Sequence, residues 1–594
     1  MGGKEIVAVK TREALRNEIL RYADYAWQSD AHDLHPLTQL MVDELCNELY
    51  LLYGQLDNIN RSVLDKLVKT LSPATYRYIR PAHAVLHLQP NTPVYLLDRK
   101  TTFFIKQTPA GTNDEHVNQA VFTPAADIQL SSSQISVLFI GNTLWKASPN
   151  GEKNRLFDTN DKAEFNTVWL GLDICEDLKT LENLCFYFQF LHLDDNHAYY
   201  DRMSDLQWRM GNKSIKVKQG IQTVAANQTE KEVLDYYKDR FQTVRSAVAL
   251  SEITRQKLPE ELEKIIPANL ISSIPPLYWL AVTFPPHFDM SDLEKLKIAL
   301  NVFPVINRDY KAQSFVKEQM SEVISLSSDM DEEFLEIEQF SDFRNKAYKQ
   351  GHGRLKTYQV EPVPKQSAAA NETDISDYLE RLVDVVQQER AVFPDIDNEK
   401  IERVFNAVST IQSKGMLKSA FNRLNKLSDV ARLTVHTEED TAGVHISYWT
   451  TLAEKANGIP AKTTLMAHKT PELNKSDAVL LSIVDGGKNQ YDLESLRAIN
   501  RFYLTAKDRI LTKTDILHFC WMEIGKYSQD ICVTRNVRIS PKFKEGMINA
   551  IEIGITPLPE YRTYLQSGRA MKDLRIRLRQ RSPKHFVYKT MLNN

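Results

Sequence analysis

The stretch 35–81, "HPLTQLMVDELCNELYLLYGQLDNINRSVLDKLVKTLSPATYRYIRP", decides how the rest of the chain is read. Apolar residues fall at Leu40/Met41, Leu45, Leu49, Leu52, Leu56, Ile59, Val63, Leu67 and Leu71. Steps of three and four put one apolar stripe along a helix, and no proline interrupts it between Pro36 and Pro73. About 35 helical residues make a rod of roughly 50 Å. One small core rarely covers so long a seam. Leu45, Leu49, Leu52, Leu56, Ile59 and Val63 are therefore expected to be buried by another chain or a second copy. Gly54 and the run Asp57-Asn58-Ile59-Asn60 favour a kink. At "HAVLHLQP" a period-two pattern begins, so a helical arm gives way to a β domain.

Working outward, the 594 residues call for three or four domains with sizeable cores. The formal net charge of −3 points globally to neither nucleic acid nor membrane. The longest apolar runs, "PPLYWLAVTF" and "AVLLSIV", fall far short of the ~20 residues a membrane helix needs. The first residues carry charge throughout, unlike a signal peptide, and Ile6 stands where a myristoylation motif wants Ser or Thr. Five cysteines (Cys46, Cys175, Cys185, Cys520, Cys532) without a close CxxC pair suggest a reducing compartment and buried thiols. A cytoplasmic multidomain protein is the expectation.

Along the chain, Thr11–Ser29 reads as a first helix packing antiparallel to the rod. From Ala82 to Lys218 short strands alternate with turns, the pattern of a sandwich or barrel, with a helix expected at Tyr199–Trp208. Helical spacing returns over Thr229–Ile266. "MSDLEKLKIALNVFPVINRDYKAQSF" reads as a short helix, with Ser291 as N-cap and Glu294 three residues on, running into an apolar core strand. In that strand Asn301 and Asn307 are expected to satisfy backbone groups. Tyr358–Asp374 has linker composition. The expected boundaries are a helical arm 1–80, a β-rich domain 81–225, an α+β domain 226–357 holding the "NVFPVIN" strand, a linker 358–374, a helical segment 375–428 and an α+β domain 429–594.

Catalytic spacings are sparse. The sequence has no GxxxxGK[ST], GxGxxG, GxSxG or HExxH. "DGGK" at Asp485–Lys488 lacks the upstream glycine of a phosphate loop and reads as a hairpin-like turn. "HLDDNH" (His192, Asp194, Asp195, His197) offers four ligands for a divalent ion, but Asp-Asp-Asn is ordinary turn chemistry. His32, Asp33 and His35 read as helix-break caps, "GHG" at Gly351–Gly353 as a flexible turn, and Glu332 and Glu333 as part of a charge run. In "MKDLRIRLRQRSPKHFVYK", Arg575, Arg577 and Arg579 alternate with Ile576 and Leu578. As a strand they would give one guanidinium face, suited to an acidic protein surface. A charged edge that blocks aggregation, or a nucleic-acid contact, are the competing readings. No catalytic residue, cofactor or metal is expected.

Three stretches, taken together, resemble one family, the TssF (VasA/ImpG) baseplate subunits of type VI secretion systems. In the first, "HPLTQLMVDELC…RYIRPAHAVLHLQP", Tyr78, Arg80 and Pro81 stand in the family's "P-H-Y-L-R-P" motif. In the second, "TTFFIKQTPAGTNDEHVNQAVFTPAADIQL", Phe122, Thr123, Ala125 and Asp127 stand in "F-R-T-A-Y-D-V". In the third, "ALNVFPVINRDY", Asn301, Pro304, Val305 and Asn307 are in register with "N-C-V-P-V-V-N-L-F", and Asp309 replaces an aromatic. The match spans roughly residues 35–340. The C-terminal third departs from it and resembles the J-type wedge proteins of contractile phage baseplates, through Glu494, Ser495, Leu496 and Arg497 and then Arg509, Thr512 and Asp515.

The resemblance implies a non-enzymatic structural protein of α+β multidomain class: an N-terminal long-helix bundle arm, β-rich sandwich or barrel-like middle domains and a C-terminal α+β wedge-like domain. It implies a wedge subunit that assembles with a TssG-like subunit, a second TssF copy, TssK-like and TssE-like subunits and a VgrG-type spike hub. That assembly would initiate the sheath and transmit its contraction trigger, in a baseplate at the cytoplasmic face of the inner membrane, without nucleic acid or membrane insertion. A wedge protein of a phage-like tail or extracellular contractile particle is the alternative. An enzyme using "HLDDNH" is a third reading.

Overall fold

The computed structural model describes residues 40–50, 79–105, 120–159, 166–190, 200–267, 274–286, 290–319, 323–328, 331–351, 356–362, 428–437, 441–468, 478–489, 493–539, 546–583 and 586–593, with isolated positions between. The chain divides into two compact units, Tyr78–Gln490 with Ile539–Ile548, and Met1–Arg77 with Tyr491–Arg538 and Asn549–Asn594.

The larger unit is β-rich. It contains a closed six-stranded barrel whose order is His83–His87, Val302–Asn307, Val121–Pro124, Phe103–Ile105, Thr464–Ala467 and Ala478–Leu480. The last strand pairs back to the first through Leu86↔Leu480, so no edge is left open. All pairings are antiparallel. Alternation sorts the side chains: Ala84, Leu86, Phe103, Phe122, Phe303, Val305 and Leu465 form one core, while Val85, Val302 and Ile306 face a second that holds Tyr187, Val233 and Tyr237.

A seven-stranded sheet runs in the order Lys213–Ile215, Gln207–Met210, Tyr278–Thr283, Thr167–Asp173, Gln134–Ile140, Thr143–Ala147 and Lys153–Asp158. It shares a core with the four-stranded sheet Val217–Gln219, Phe241–Val244, Cys185–Phe190 and Leu296–Ala299, through Leu138, Leu170, Leu280, Phe186, Phe188 and Trp208. A second pair of sheets packs Asp309–Val316, Gly443–Thr451 and Glu333–Asp342 against Val323–Ser328, Ser428–His436, Thr357–Pro362 and Lys349–Gln350, around Leu326, Phe340, Leu433 and Tyr448.

In the smaller unit, helices Leu493–Ala506, Lys513–Ile524 and Arg569–Arg581 accompany a sheet of Ser528–Ile539, Met547–Pro557 and Val587–Leu592. Phe502, Phe519, Ile553, Leu574 and Leu578 close its core. Helix Lys513–Ile524 starts on a capping box. Thr512 accepts from the Asp515 amide at 3.2 Å, and the Asp515 carboxylate accepts from the Thr512 amide at 2.8 Å.

Several expectations need correction. The chain from Arg569 to Arg581, read as a strand, is a helix. Met571, Leu574 and Leu578 recur at helical spacing and fill the core, and five alternating residues were too short a window to distinguish the two periods. Tyr199–Trp208, read as a helix, resolves into the 3-10 turn Asp201–Asp205 followed by the strand Gln207–Met210. Within Thr229–Ile266 only Gln228–Tyr237 and the short Glu260–Glu263 are α-helical, with the strand Phe241–Val244 between them. Ser291 lies inside the helix Met290–Glu294. The boundary expected at 225/226 is crossed by barrel ladders, since Val302–Asn307 pairs with both His83–His87 and Val121–Pro124. The boundary at 428/429 is crossed where Thr464–Ala467 pairs with Phe103–Ile105.

Of the expected N-terminal arm, residues 40–50 and 52 are described and helical, so a long arm is not supported by the described residues. The helix expected at Thr11–Ser29 is described only at Arg16, Ile19 and Leu20, which are helical, and Arg16 Nε bonds Asp43 Oδ1 at 2.6 Å. Leu56, Ile59 and Val63, most of the linker 358–374, and the helical segment expected after it lie outside the described residues.

Candidate functional site

One segment threads three sheets in succession. Leu296–Ala299 belongs to the four-stranded sheet, Val302–Asn307 to the barrel and Asp309–Val316 to a three-stranded sheet. Two polar residues, Asn301 and Arg308, stand at the crossings, and both are buried.

Asn301 adopts φ +56°, the left-handed region that asparagine tolerates better than most residues. Its side chain replaces the backbone partners a sheet would otherwise supply. Oδ1 accepts from the Ser131 amide at 3.0 Å, and Nδ2 donates toward the carbonyls of Ser131 at 2.7 Å and Ser133 at 3.1 Å. Asn307 does the same at the far end of the strand. Its Nδ2 donates to the Val121 carbonyl at 2.9 Å, and its Oδ1 accepts from the Leu452 amide at 3.1 Å. Both asparagines satisfy backbone groups, as their place in an apolar strand suggested.

Arg308 is 1 % exposed and is the centre of a charge junction. Its Nε donates to Thr123 Oγ1 at 2.6 Å, and its Nη2 donates to Glu230 Oε1 at 2.9 Å and to the Pro124 carbonyl at 3.2 Å. The guanidinium lies over the Trp449 ring, 4.0 Å from its centroid. Arg99 Nη1 also donates to Glu230 Oε1, at 2.9 Å, and Arg99 pairs with Glu338. Trp449 Nε1 donates to Glu338 Oε2 at 2.9 Å. Two guanidiniums and two carboxylates thus neutralise one another.

Glu230 is positioned by the start of helix Gln228–Tyr237. Asn227 caps it by accepting from the Glu230 amide at 2.9 Å, and the Glu230 carboxylate reaches back to the Ala226 amide at 2.8 Å. Burial pulls the Arg308 guanidinium below its ordinary value, against the opposing charge of Glu230. Burial acts the same way on Arg99, but the hydrogen bonds and charges of Glu338 and Glu230 outweigh it and the net shift is upward. Burial raises Glu338, and the hydrogen bonds of Arg99 and Trp449 reverse that to a net downward shift. Such an arrangement clamps together the elements that carry Arg99, Glu230, Arg308 and Glu338.

The chemistry candidates fall elsewhere. "DGGK" is not a phosphate loop: Asp485 and Lys488 exchange backbone hydrogen bonds with His83 and Arg80 at 2.9–3.1 Å. Gly486 takes φ +87°, and a Cβ there would meet His83 Nε2 at 2.6 Å. Glu332 accepts from Thr450 Oγ1 at 2.8 Å and lies 3.4 Å from Lys311 Nζ, so it is tied into the sheet. His32, Asp33, His35 and "HLDDNH" lie outside the described residues. Among the described residues no three His, Cys, Asp or Glu side chains gather as a metal site. A concavity beside Asn301, bordered by Ile128, Leu130, Leu184 and Val302, holds about 20 Å³, room for one water.

Of the expected interface residues, Leu56, Ile59 and Val63 lie outside the described residues. Leu45 and Leu52 are 52 % and 51 % exposed on their helix, Leu49 is half-buried, and Val42 and Cys46 are the positions that turn inward. Arg577 is buried on helix Arg569–Arg581, its Nε 2.9 Å from Asp573 one turn earlier. Arg575 Nη1 donates to Thr590 Oγ1 at 3.4 Å, and Arg579 is half-buried, with burial lowering its pKa. On the helix Arg575 and Arg579, four residues apart, share one face, and Arg577 is turned away from it into the core. The junction of Arg99, Glu230, Arg308 and Glu338 was not foreseen. Arg308 alone carried a signal, as a charge directly after a fully apolar strand.

No family profile matches the chain, and no curated protein matches it. Among solved structures, the chain is similar to one in a cryo-electron microscopy structure of the type VI secretion system TssK-TssF-TssG baseplate subcomplex, at 11 % identity and a TM-score of 0.41. That match covers 93 % of this chain and 96 % of the other. It is also similar to one in the baseplate complex of the type VI secretion system, at 11 % identity and a TM-score of 0.34, with coverages of 98 % and 95 %. Scores this low carry no argument about the fold or the role. Among the described residues no helix is long and apolar enough to cross a membrane.

Proposed function

We propose that this chain is a structural subunit of a contractile-machine baseplate, of the TssF type in a type VI secretion system. The observation that carries the reading is where the resembling stretches fall. "RPAHAVLHLQP", "VFTPAADI" and "NVFPVIN" are far apart in sequence, yet they supply three consecutive strands of one barrel: His83–His87, Val302–Asn307, Val121–Pro124. Motif positions that form one packed object fit common descent better than scattered coincidence. A buried charge junction that pairs Arg99 and Arg308 with Glu230 and Glu338 supports a rigid connecting role. The proposed partners are TssG-like and TssK-like subunits, with a second copy, a TssE-like subunit and a VgrG-type hub further out in the same assembly.

The capping box at Thr512 and Asp515 falls at the turn where the chain resembles J-type wedge proteins, which favours a phage-like particle as the second reading. The test is affinity purification of the tagged full chain from its native host, with mass spectrometry of what accompanies it. TssG-like and TssK-like subunits in fixed ratio are the expected result. Tail-fibre and tube proteins instead would select the second reading, and a solitary monomer would remove both.

A further inference from the structure

The chain's charge is unevenly placed. Residues 491–594 hold 19 Lys and Arg against 10 Asp and Glu, a net +9, which leaves −12 on residues 1–490 of a chain whose total is −3. Within the basic part, one turn stands out: "KDRILTK", Lys507–Lys513, between helices Leu493–Ala506 and Lys513–Ile524. Lys507, Arg509 and Lys513 are exposed, and none of them makes an ion pair with a described residue. Leu511, between them, is 63 % exposed.

The turn is held in a strained form. Lys507 and Asp508 are adjacent non-glycine residues at φ +46° and +62°, a region L-residues disfavour. Strain of this kind persists only where the surroundings over-determine it. Here Asp508 Oδ1 pairs with Arg581 Nε at 2.7 Å, the Ile510 amide donates to the Arg581 carbonyl at 2.9 Å, and Ile510 is buried. The Lys507 amide donates to the Tyr503 carbonyl at 3.2 Å, and the capping box fixes the exit. A flexible surface turn needs none of these restraints. This one is locked so that its cations and its leucine point away from the core.

We propose that Lys507–Lys513 is a preorganised docking knob for an acidic protein surface with an apolar dent, into which Leu511 fits while carboxylates meet Lys507, Arg509 and Lys513. Preorganisation lowers the ordering cost of binding, and complementary charge steers the encounter. An exposed leucine at the centre favours a protein over a nucleic acid, which would engage the cations and gain nothing from Leu511. The inference rests on the baseplate reading, because the partner is taken to be another subunit of the same assembly.

The test is co-expression of the full chain with the candidate baseplate subunits encoded beside it, nuclease treatment, and pull-down at low and high salt. Three chains are compared: wild type, Lys507→Glu/Arg509→Glu/Lys513→Glu, and Leu511→Asp. A control carries the same charge change at Arg535, Arg569 and Lys589, exposed cations of the same unit. Wild type and control should recover one acidic subunit equally. Both knob variants should lose it about tenfold or more, and high salt should weaken the wild-type contact. Should the Glu variant fail to fold by circular dichroism, Lys507→Gln/Arg509→Gln/Lys513→Gln replaces it, with the same direction of loss expected. Equal recovery by the knob variants overturns the inference and leaves the baseplate reading standing. A contact destroyed by nuclease also overturns it. Wild type that recovers no subunit removes the baseplate reading, and the inference with it.

Discussion

Replacing Glu230 with glutamine isolates what the charge junction contributes. The side chain keeps its shape and one oxygen, so the contact with the Ala226 amide that helps start helix Gln228–Tyr237 can survive. Even complete loss of that capping contact would cost only about 1 kcal/mol. The charge is a different matter. Arg308 and Glu230 are both fully buried as side chains, and the Arg308 guanidinium remains protonated at any working pH. Removing its carboxylate leaves a cation in a low-dielectric interior, which costs about 3–5 kcal/mol. Arg99 is less affected, because Glu338 still pairs with it.

A chain of two compact units need not unfold in one step, so the assay should be local: native-state hydrogen exchange of peptides covering Val302–Asn307 and Gln228–Tyr237. Their opening free energy should fall by several kcal/mol while helix Lys513–Ile524 keeps its protection. Glu230→Leu with Arg308→Met should cost less than the two single changes summed, since an apolar pair removes both charges together. A loss below about 1 kcal/mol for Glu230→Gln, or strict additivity in the double variant, would refute the reasoning.

Val305→Ala, at a position with no exposure in the barrel core, should cost about 1–3 kcal/mol by lost packing, read as lowered protection of the barrel strands. Altered partner binding at unchanged stability would instead mark an interface. Burial lowers His87 from 6.5 to about 4. Between those values the unfolded chain binds the proton and the folded barrel does not, so barrel stability should drop as pH falls from 6.5 to 4, by about 3 kcal/mol in all. His87→Phe should flatten that slope when barrel exchange is followed against pH. Arg577→Glu should lower the thermal midpoint of the smaller unit, since it places a carboxylate beside Asp573 in a buried site, whereas an exposed edge residue would leave the midpoint unchanged.

Much of the β architecture was legible because short alternating runs bounded by Pro, Gly and Asn give a period of two. "HAVLH", "TVWLGLD" and "GVHISYWTT" all form strands. "NVFPVIN" was legible as core, together with the duty of its asparagines. Strand partners were not legible, because period says which face is apolar and nothing about who pairs across hundreds of residues. For that reason linear boundaries failed where His83–His87 meets Ala478–Leu480. Arg575–Arg579 misled because Leu574 and Leu578, four apart, also satisfy a helix. The charge junction was invisible because Arg99, Glu230, Arg308 and Glu338 are each ordinary in their own neighbourhood and become one object only after the barrel closes.

The barrel's strand order also sets a schedule for synthesis. His83–His87 is fully buried in the folded chain, and one of its two neighbours is Ala478–Leu480. A ribosome adding about 5–20 residues per second needs roughly 20–80 s to travel from the first of these strands to the last. Throughout that interval Val85 and Leu86 are without their final cover, and an unpaired apolar strand is the kind of segment that joins a wrong partner. Any fragment of this chain that stops short of Ala478 inherits the same opening permanently, whatever domain its designer meant to isolate.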